Sequence, residues 1–253
     1  MPLQQTTIVH GDASYAHYYL CNYLPVSAGT DPLSLSLLKF KRGRQPDLNA
    51  WIDCSLELLD EAFTPPGNSP TPLNSLHLPP LSPDTIFLRA LHHDETSTRK
   101  DNPGALDKLG KTLADHFHSH YCPRLLRKSS PTPEIKGLSK EQRVAELKNR
   151  YYIDTRYFPA PPSPPSFLLL DDILTTGTTM KMIIDALLHP YPKANIVVFT
   201  LAKADYDNFA NHSLPLRGQN YPIGQPIQQT LVEERTNSYS SNDLKSRIRT
   251  DTF

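Results

Sequence analysis

The first half of the chain places apolar side chains at helical intervals around polar connections. Between residues 31 and 59 they recur every three or four positions, the period of an amphipathic helix. Gly43 and Pro46 interrupt this pattern and therefore predict two helices. Residues 85–88 predict a short strand, and a polar turn over 92–102 leads to a helix whose apolar side is Leu106, Leu109, Leu113 and Phe117.

Two proline-rich segments separate these elements from the rest of the chain. Residues 64–83 combine proline with serine, asparagine and glycine, a composition that cannot keep a regular ladder of backbone hydrogen bonds, and they predict a surface loop. Residues 157–166 predict a stiff, extended connection. A short helix is expected between them at residues 141–151.

Residues 166–202 have the pattern of a βαβ unit. An apolar run at 166–170 predicts a strand, a polar loop follows at 171–179, residues 180–188 are apolar at helical spacing, and the β-branched segment 195–202 predicts a second strand. A crossover helix between parallel strands indicates an α/β fold with helices on both faces of the sheet. We therefore expect a three-layer α/β fold with a mostly parallel sheet.

The same pattern divides the chain into three regions. Residues 1–83 predict an N-terminal helical or mixed region that acts as a lid, with the proline-rich loop at its end. Residues 84–205 predict the α/β core. Residues 206–253 predict a polar tail, and from residue 214 onward its weak periodicity predicts loose order.

Composition narrows the class of protein. The 253 residues carry no formal net charge and are 38% hydrophobic, which argues against a polyanion-binding or disordered chain, so no nucleic-acid partner is expected. Cys21, Cys54 and Cys122 are widely separated and odd in number, which argues against a disulfide framework or zinc ribbon and favours a reducing compartment. Without a signal-peptide pattern or an apolar run of about 20 residues, a cytoplasmic protein is expected.

The candidate chemistry lies in the loop of the βαβ unit. Asp171 and Asp172 follow the first strand at the carboxyl edge of the predicted sheet, where open α/β folds bind ligands. Their carboxylates can accept hydrogen bonds from vicinal sugar hydroxyls. The following loop has a glycine among hydroxyl side chains at the start of a helix, which is an anion cradle: Thr175, Thr176, Gly177, Thr178 and Thr179. A hydroxylated ring with a phosphate at one end, such as ribose 5-phosphate, suits this combination.

The run LLLDDILTTGTT, residues 168–179, resembles the phosphoribosyl pyrophosphate signature of type I phosphoribosyltransferases. Its setting is similar to the ComF subgroup, with further correspondences at residues 37–44, 85–93, 140–150 and 196–203. The chain departs from that subgroup in lacking its zinc-ribbon cysteines, in having Thr178 where a small residue is usual, and in the sequence of the loop after the first strand, where Arg89 is followed by Ala90 and Leu91.

The resemblance implies an enzyme of nucleotide metabolism that displaces pyrophosphate at the anomeric carbon, with Mg²⁺ bridging pyrophosphate and ribose oxygens. It assigns the ribose hydroxyls to Asp171 and Asp172, and the 5-phosphate to residues 175–179. Arg89 is the candidate pyrophosphate contact. Lys39, Lys41 and Arg99 are lesser candidates for the pyrophosphate contact. The alternative interpretation of each is a solvated surface charge. The acceptor is an unidentified nitrogenous compound, and a homodimer is left open.

Three alternatives stay open at this point. A non-catalytic protein that binds the phosphoribosyl group, with a regulatory or DNA-uptake role, would keep the same pocket. Residues 105–112 fit a permissive nucleotide P-loop with Lys111 as its cation, although the spacing of their leucines predicts a helix. His116, His118 and His120 suggest a metal site, but no carboxylate or fourth ligand completes the set. These histidines are therefore expected at a solvent-exposed helix end.

Overall fold

The structure is a computed structural model, which describes residues 3–24, 31–63, 83–98, 101–132, 140–158, 164–204 and 239–250. Its central sheet consists of β1 Gln4–His10, β2 Ala13–Tyr23, β3 Ile86–Arg89, β4 His120–Tyr121, β7 Ser166–Leu174 and β8 Asn195–Ala204. A separate antiparallel ribbon pairs β5 Leu126–Lys128 with β6 Tyr151–Ile153. The order in the sheet is β1-β2-β8-β7-β3-β4, and only the β1–β2 pair is antiparallel. The prediction of a mostly parallel sheet is confirmed.

Helices cover both faces of this sheet. They are α1 Pro32–Lys41, α2 Asp47–Phe63, α3 Ala105–His116, α4 Lys140–Leu147, α5 Thr178–Leu188 and α6 Ser241–Thr250. The apolar sides of α1, α2, α3 and α6 belong to one hydrophobic core, and those of α4 and α5 belong to the other. The sheet lies between these two cores, which is the predicted three-layer arrangement.

The central strand β7 contributes to both cores. Leu168 and Leu170 enter the core beneath α1, α2 and α3, whereas Phe167 and Leu169 enter the core beneath α5. Successive side chains of a strand point to opposite faces, so a strand covered on both faces is apolar at every position. Each of these fully buried side chains contributes about 1.5–3 kcal/mol to folding.

Several elements form where the apolar pattern predicts them. The break between α1 and α2 lies at Gly43, whose φ of 69° is the left-handed conformation that glycine adopts most readily. Asp31 caps α1 by accepting a hydrogen bond from the Ser34 N–H at 2.7 Å. The predicted strand at residues 85–88 is β3, and the predicted helix after it is α3. The helix predicted at 141–151 is α4, which ends at Leu147 because residues 151–153 pair as β6.

The first strand of the βαβ unit is longer than its sequence predicts. β7 continues through Asp171 and Asp172 to Leu174, so the predicted loop at 171–179 is too long. Its neighbour β8 also continues and pairs Ile173 with Ala202 and Leu174 with Lys203. Backbone pairing with β8 keeps these residues extended despite their polar side chains, and α5 begins directly after Gly177.

The N-terminal region contributes two strands that the sequence pattern does not predict. β2 pairs in parallel with β8, for example Tyr18 with Phe199, and β1 forms the outer edge of the sheet. Residues from the predicted N-terminal region and from the predicted core therefore share one sheet. The helices α1 and α2 of this region pack on the same face as α3.

The predicted loose order of the tail is wrong for residues 241–250, which form α6. Leu244 and Ile248 of this helix are buried against α2. Lys245 forms an ion pair with Glu57, and the Ser241 hydroxyl donates to Asp53 at 2.8 Å. Two apolar side chains one helical turn apart give too weak a periodic signal for a sequence-based prediction.

Some predictions fall outside the described residues. They are the proline-rich loop over residues 64–82, the central part of the second proline-rich connection at 159–163, and the stretch of the tail at 205–238. Within the ranges that the structure does describe, no helix is long and apolar enough to cross a membrane.

We expect Leu244→Ala to lower the free energy of unfolding by about 2–5 kcal/mol, because it removes a fully buried side chain that joins α6 to the core. Urea unfolding followed by circular dichroism measures this change. The matched control is Asn242→Ala on the exposed side of the same helix, which should change the unfolding free energy by less than about 0.5 kcal/mol. Equal stability of the two variants would mean that α6 is not docked.

Candidate functional site

The carboxyl edge of the sheet has a step between β3 and β7. The last paired residue of β3 is Arg89, opposite Leu170, and the Ala90 N–H donates to the Leu170 carbonyl at 2.8 Å. β7 is paired with β8 on its other side along most of its length, and from Asp171 onward β8 is its only neighbouring strand in the described sheet. The end of β7 therefore projects beyond β3, at the edge where α/β sheets bind ligands.

A small cavity of about 40 Å³ lies at this step. Its lining combines the projecting end of β7, the loop that follows and the first turn of α5: Asp171, Ile173, Leu174, Thr175, Thr176, Gly177, Thr178, Thr179 and Met180. Gly177 turns the chain with a φ of 71°, and the hydroxyls of Thr176 and Thr178 are 2.9 Å apart. The unpaired N–H groups of a first helical turn favour an anion. The five predicted phosphate-binding residues and Asp171 thus line one cavity.

The two aspartates lie on opposite faces of β7. Asp171 lines the cavity on the α5 side, whereas Asp172 is directed to the α1 side, where its Oδ2 is 2.6 Å from the Lys41 Nζ. Strand alternation causes this separation, because both residues are within the extended part of β7. Asp171 Oδ1 accepts from the Asp172 N–H at 2.9 Å, and Asp172 Oδ1 accepts from the Ile173 N–H at 2.8 Å.

Burial dominates the electrostatics of Asp171. Removal from solvent and the neighbouring charge of Asp172 raise its pKa to about 8, although Lys41 acts in the opposite direction. Tyr151 of β6 faces the same region, and burial together with Asp171 raises the pKa of its hydroxyl above the ordinary value. The neutral form of Asp171 is therefore favoured more than that of a solvated aspartate.

The basic segment at residues 39–44 is solvated over residues 41–44, as predicted, but not at Lys39. Lys39 is only 2% exposed, and Lys41 reaches Asp172 from the last turn of α1. Burial opposes the charged form of Lys41, but its ion pair with Asp172 outweighs this, so the pKa of Lys41 is raised. The helical pattern places Lys41 at the end of α1, but no local signal shows that this end meets the carboxyl edge of β7.

Arg89 is enclosed by two carboxylates. Its Nε and Nη2 donate to Asp107 at 2.7 and 2.9 Å, and its Nη1 and Nη2 donate to Glu95 at 2.6 and 2.9 Å. Nη1 also donates to the Ala90 carbonyl at 2.9 Å, which uses all five N–H groups. Burial opposes the charged forms, but these bonds raise the pKa of Arg89 and lower the pKa values of Glu95 and Asp107. A contact with pyrophosphate would require one of these bonds to break.

The loop after β3 is fastened to the β5–β6 ribbon. Lys128 of β5 donates from Nζ to the His92 carbonyl at 2.6 Å, and its backbone N–H donates to the Thr96 carbonyl at 2.8 Å. Burial lowers the pKa of Lys128 to about 8. Together with the Arg89–Glu95 pair, these bonds fix the loop beside the step in the sheet.

The segment considered as a P-loop forms a regular helix. Residues 105–112 are the first turns of α3, and Lys111 is exposed and bonded to Asp115 at 2.7 Å. Gly110 allows this helix to lie close to the sheet, because an added Cβ would come within 2.6 Å of the Tyr121 ring. The helix predicted from the leucine spacing is confirmed, and the glycine has a packing role.

The histidines suggested for a metal site are not among the residues that line the cavity. His116 is bonded to Asp60 at 2.8 Å, and across the described ranges no group of three or more histidine, cysteine, aspartate or glutamate side chains could hold a metal ion. Arg99, a lesser candidate for pyrophosphate binding, lies outside the residues that the structure describes.

No protein-family model matches the chain, and no curated protein matches it significantly. Among solved structures, a crystal structure of an adenine phosphoribosyltransferase is similar at 17% sequence identity and a TM-score of 0.38, covering 68% of this chain and 78% of that chain.

Proposed function

We propose that the chain binds phosphoribosyl pyrophosphate at the carboxyl edge of its sheet and transfers the phosphoribosyl group to a nitrogenous acceptor. The observation that carries this proposal is that Asp171 and the loop at residues 175–179 line the same cavity, at the first turn of α5. A carboxyl group and an anion cradle at one strand end suit a sugar that carries a phosphate.

In the proposed complex the 5-phosphate lies on the loop. The threonine hydroxyls and the free N–H groups at the start of α5 donate to its oxygens, and the helix dipole favours its charge. The ribose hydroxyls extend toward Asp171 at the end of β7, whereas Asp172, which the resemblance also assigns to them, lies on the opposite face of the strand. The phosphate and the Asp171 carboxyl group would thus contact opposite ends of one ligand, which limits their repulsion.

In the proposed reaction the acceptor nitrogen forms a bond to the anomeric carbon, and the bond from that carbon to pyrophosphate breaks with both electrons leaving on oxygen. The protein positions the ligand and balances its charge. Bound together with the ligand, Mg²⁺ would supply charge neutralisation for the leaving pyrophosphate. Arg89 would act through the position of the loop at residues 90–95, because its N–H groups hold Glu95 and Asp107.

A second candidate is a protein that binds the phosphoribosyl group without transferring it and serves a regulatory or DNA-uptake role. The observation that favours it is the enclosure of Arg89: the predicted pyrophosphate contact is 5% exposed and has every N–H in a protein bond. Such a site would keep the 5-phosphate and ribose contacts while lacking a free cation at this position for the leaving group.

The phosphate loop is tested with Gly177→Ala. We expect the affinity of this variant for ribose 5-phosphate to fall about tenfold, because a residue with a Cβ at a φ of 71° strains the turn by about 1–2 kcal/mol. Isothermal titration calorimetry measures the dissociation constant. Gly11→Ala is the matched control, since Gly11 has a φ of 58° and lies in the β1–β2 turn. An added Cβ there would have no atom within 4 Å, and at Gly177 its nearest neighbour would be Leu174 Cδ1 at 3.8 Å, an ordinary contact distance. Equal affinities of the two variants would contradict binding at this loop.

The role of Asp171 predicts a pH dependence. Because only its ionised form accepts hydrogen bonds with both oxygens, and its pKa is about 8, we expect ribose 5-phosphate affinity to rise about tenfold from about pH 7 to about pH 9. Asp171→Asn should flatten this profile, while the exposed control Asp115→Asn should keep it. A wild-type affinity that falls over this range would exclude an ionised Asp171 as the sugar contact.

Turnover separates the two candidate functions. With phosphoribosyl pyrophosphate, Mg²⁺ and a series of purine, pyrimidine and amine acceptors, a transferase releases pyrophosphate in an acceptor-dependent manner, which a coupled colorimetric assay measures. Tight binding without release from any acceptor supports the second candidate. Absence of both binding and release from the folded wild-type protein rejects the phosphoribosyl site itself.

A further inference from the structure

The contact between Lys41 and Asp172 joins the N-terminal helices to the candidate site. Lys41 belongs to the last turn of α1, and Asp172 is 131 positions further along the chain. We propose that Lys41 is a positioning residue of the site, which holds Asp172 on the α1 face of β7 and leaves Asp171 as the carboxyl group presented to the sugar. This inference rests on the proposed function and adds a residue to its binding machinery.

The first support is the rigidity of the helix that carries Lys41. Leu37 and Phe40 of α1 are fully buried. Ser36 ties α1 to α2, because its hydroxyl donates to Asp47 at 2.6 Å and accepts from the Trp51 indole N–H at 3.1 Å. Gly43 ends the helix with a left-handed turn. The backbone that supports the Lys41 side chain is therefore fixed with respect to the sheet.

The second support is the unequal exposure of the two partners. The Lys41 side chain is 46% exposed, whereas that of Asp172 is only 11% exposed. An ion pair between two solvated side chains contributes little, but removal of the partner from a buried carboxylate leaves an uncompensated charge. The Lys41 ammonium neutralises the Asp172 Oδ2 side of a nearly buried carboxylate whose Oδ1 accepts from the Ile173 N–H, so the ion pair helps to hold Asp172 in place.

The third support is the set of charges that face Asp171. Asp172 on its own strand disfavours its ionised form, Lys41 from α1 favours it, and Tyr151 approaches from β6. The α5 residues that line the cavity, Thr178, Thr179 and Met180, carry no charge. Removing Lys41 and removing the charge of Asp172 should therefore change the ionisation of Asp171 in opposite directions.

The experiment compares Lys41→Met and Asp172→Asn in the full chain. Carbon-13 NMR of aspartate-labelled protein, without ligand, should show the Asp171 carboxyl titrating about one pH unit higher in Lys41→Met and about one unit lower in Asp172→Asn. The midpoint of the ribose 5-phosphate affinity profile should move in the same two directions. Lys41→Arg keeps the charge, so the Asp171 carboxyl of this variant should titrate within a few tenths of a pH unit of wild type. Lys111→Met is the control for loss of an exposed lysine and should also leave the Asp171 titration unchanged.

The two measurements separate the possible failures. If both variants move the Asp171 titration in the same direction, or neither moves it, Lys41 does not act through Asp172 and the inference is overturned, whatever the ligand result. If the titrations move as expected but wild-type protein does not bind ribose 5-phosphate, the proposed function fails and the sugar-presenting role of Lys41 fails with it. If Lys41→Met does not fold, a wild-type-like titration in Lys41→Arg together with the downward shift in Asp172→Asn supports the inference, and a different result in either overturns it.

Discussion

Along β7 the side chains of Leu168 and Leu170 enter one core and that of Leu169 enters the other, since successive residues of a strand point to opposite faces. The same alternation continues into Asp171 and Asp172, because pairing with β8 keeps them extended. A motif with adjacent carboxylates is thereby divided between the two layers of the fold. One carboxylate lines the cavity beside α5, and the other needs a cation from the α1 layer.

Local chemistry decided which parts of the site were predictable from sequence. A glycine among threonines between a strand and a helix predicts the turn at Gly177, where the left-handed φ and the start of α5 depend only on nearby residues. The extended state of Asp171 depends on β8, and the partner of Lys41 depends on how α1 meets the sheet. These are non-local contacts, so periodicity and motif spacing contain no signal for them.

Arg89 illustrates the same limit on the opposite side of the cavity step. An arginine at the carboxyl end of a strand is a reasonable anion contact, yet Glu95 and Asp107 surround it. Burying a guanidinium is costly unless it is paired and hydrogen-bonded. Glu95 in the loop and Asp107 in the first turn of α3 satisfy that requirement, so Arg89 links β3, the loop and the start of α3. Which carboxylates fold back onto an arginine depends on the tertiary structure.

The charge balance of the site follows from these two arrangements. Among the described residues near this edge, Asp172 is paired with Lys41, Glu95 and Asp107 share Arg89, and Asp171 is the carboxyl group without a direct ion pair. Burial and the neighbouring charge of Asp172 raise the pKa of Asp171 and so favour its neutral form. A phosphate on the loop would therefore meet less negative charge at the strand end than the sequence suggests. The arrangement allows an acidic strand end and an anion cradle to share one small cavity without a surplus of positive charge in the chain as a whole.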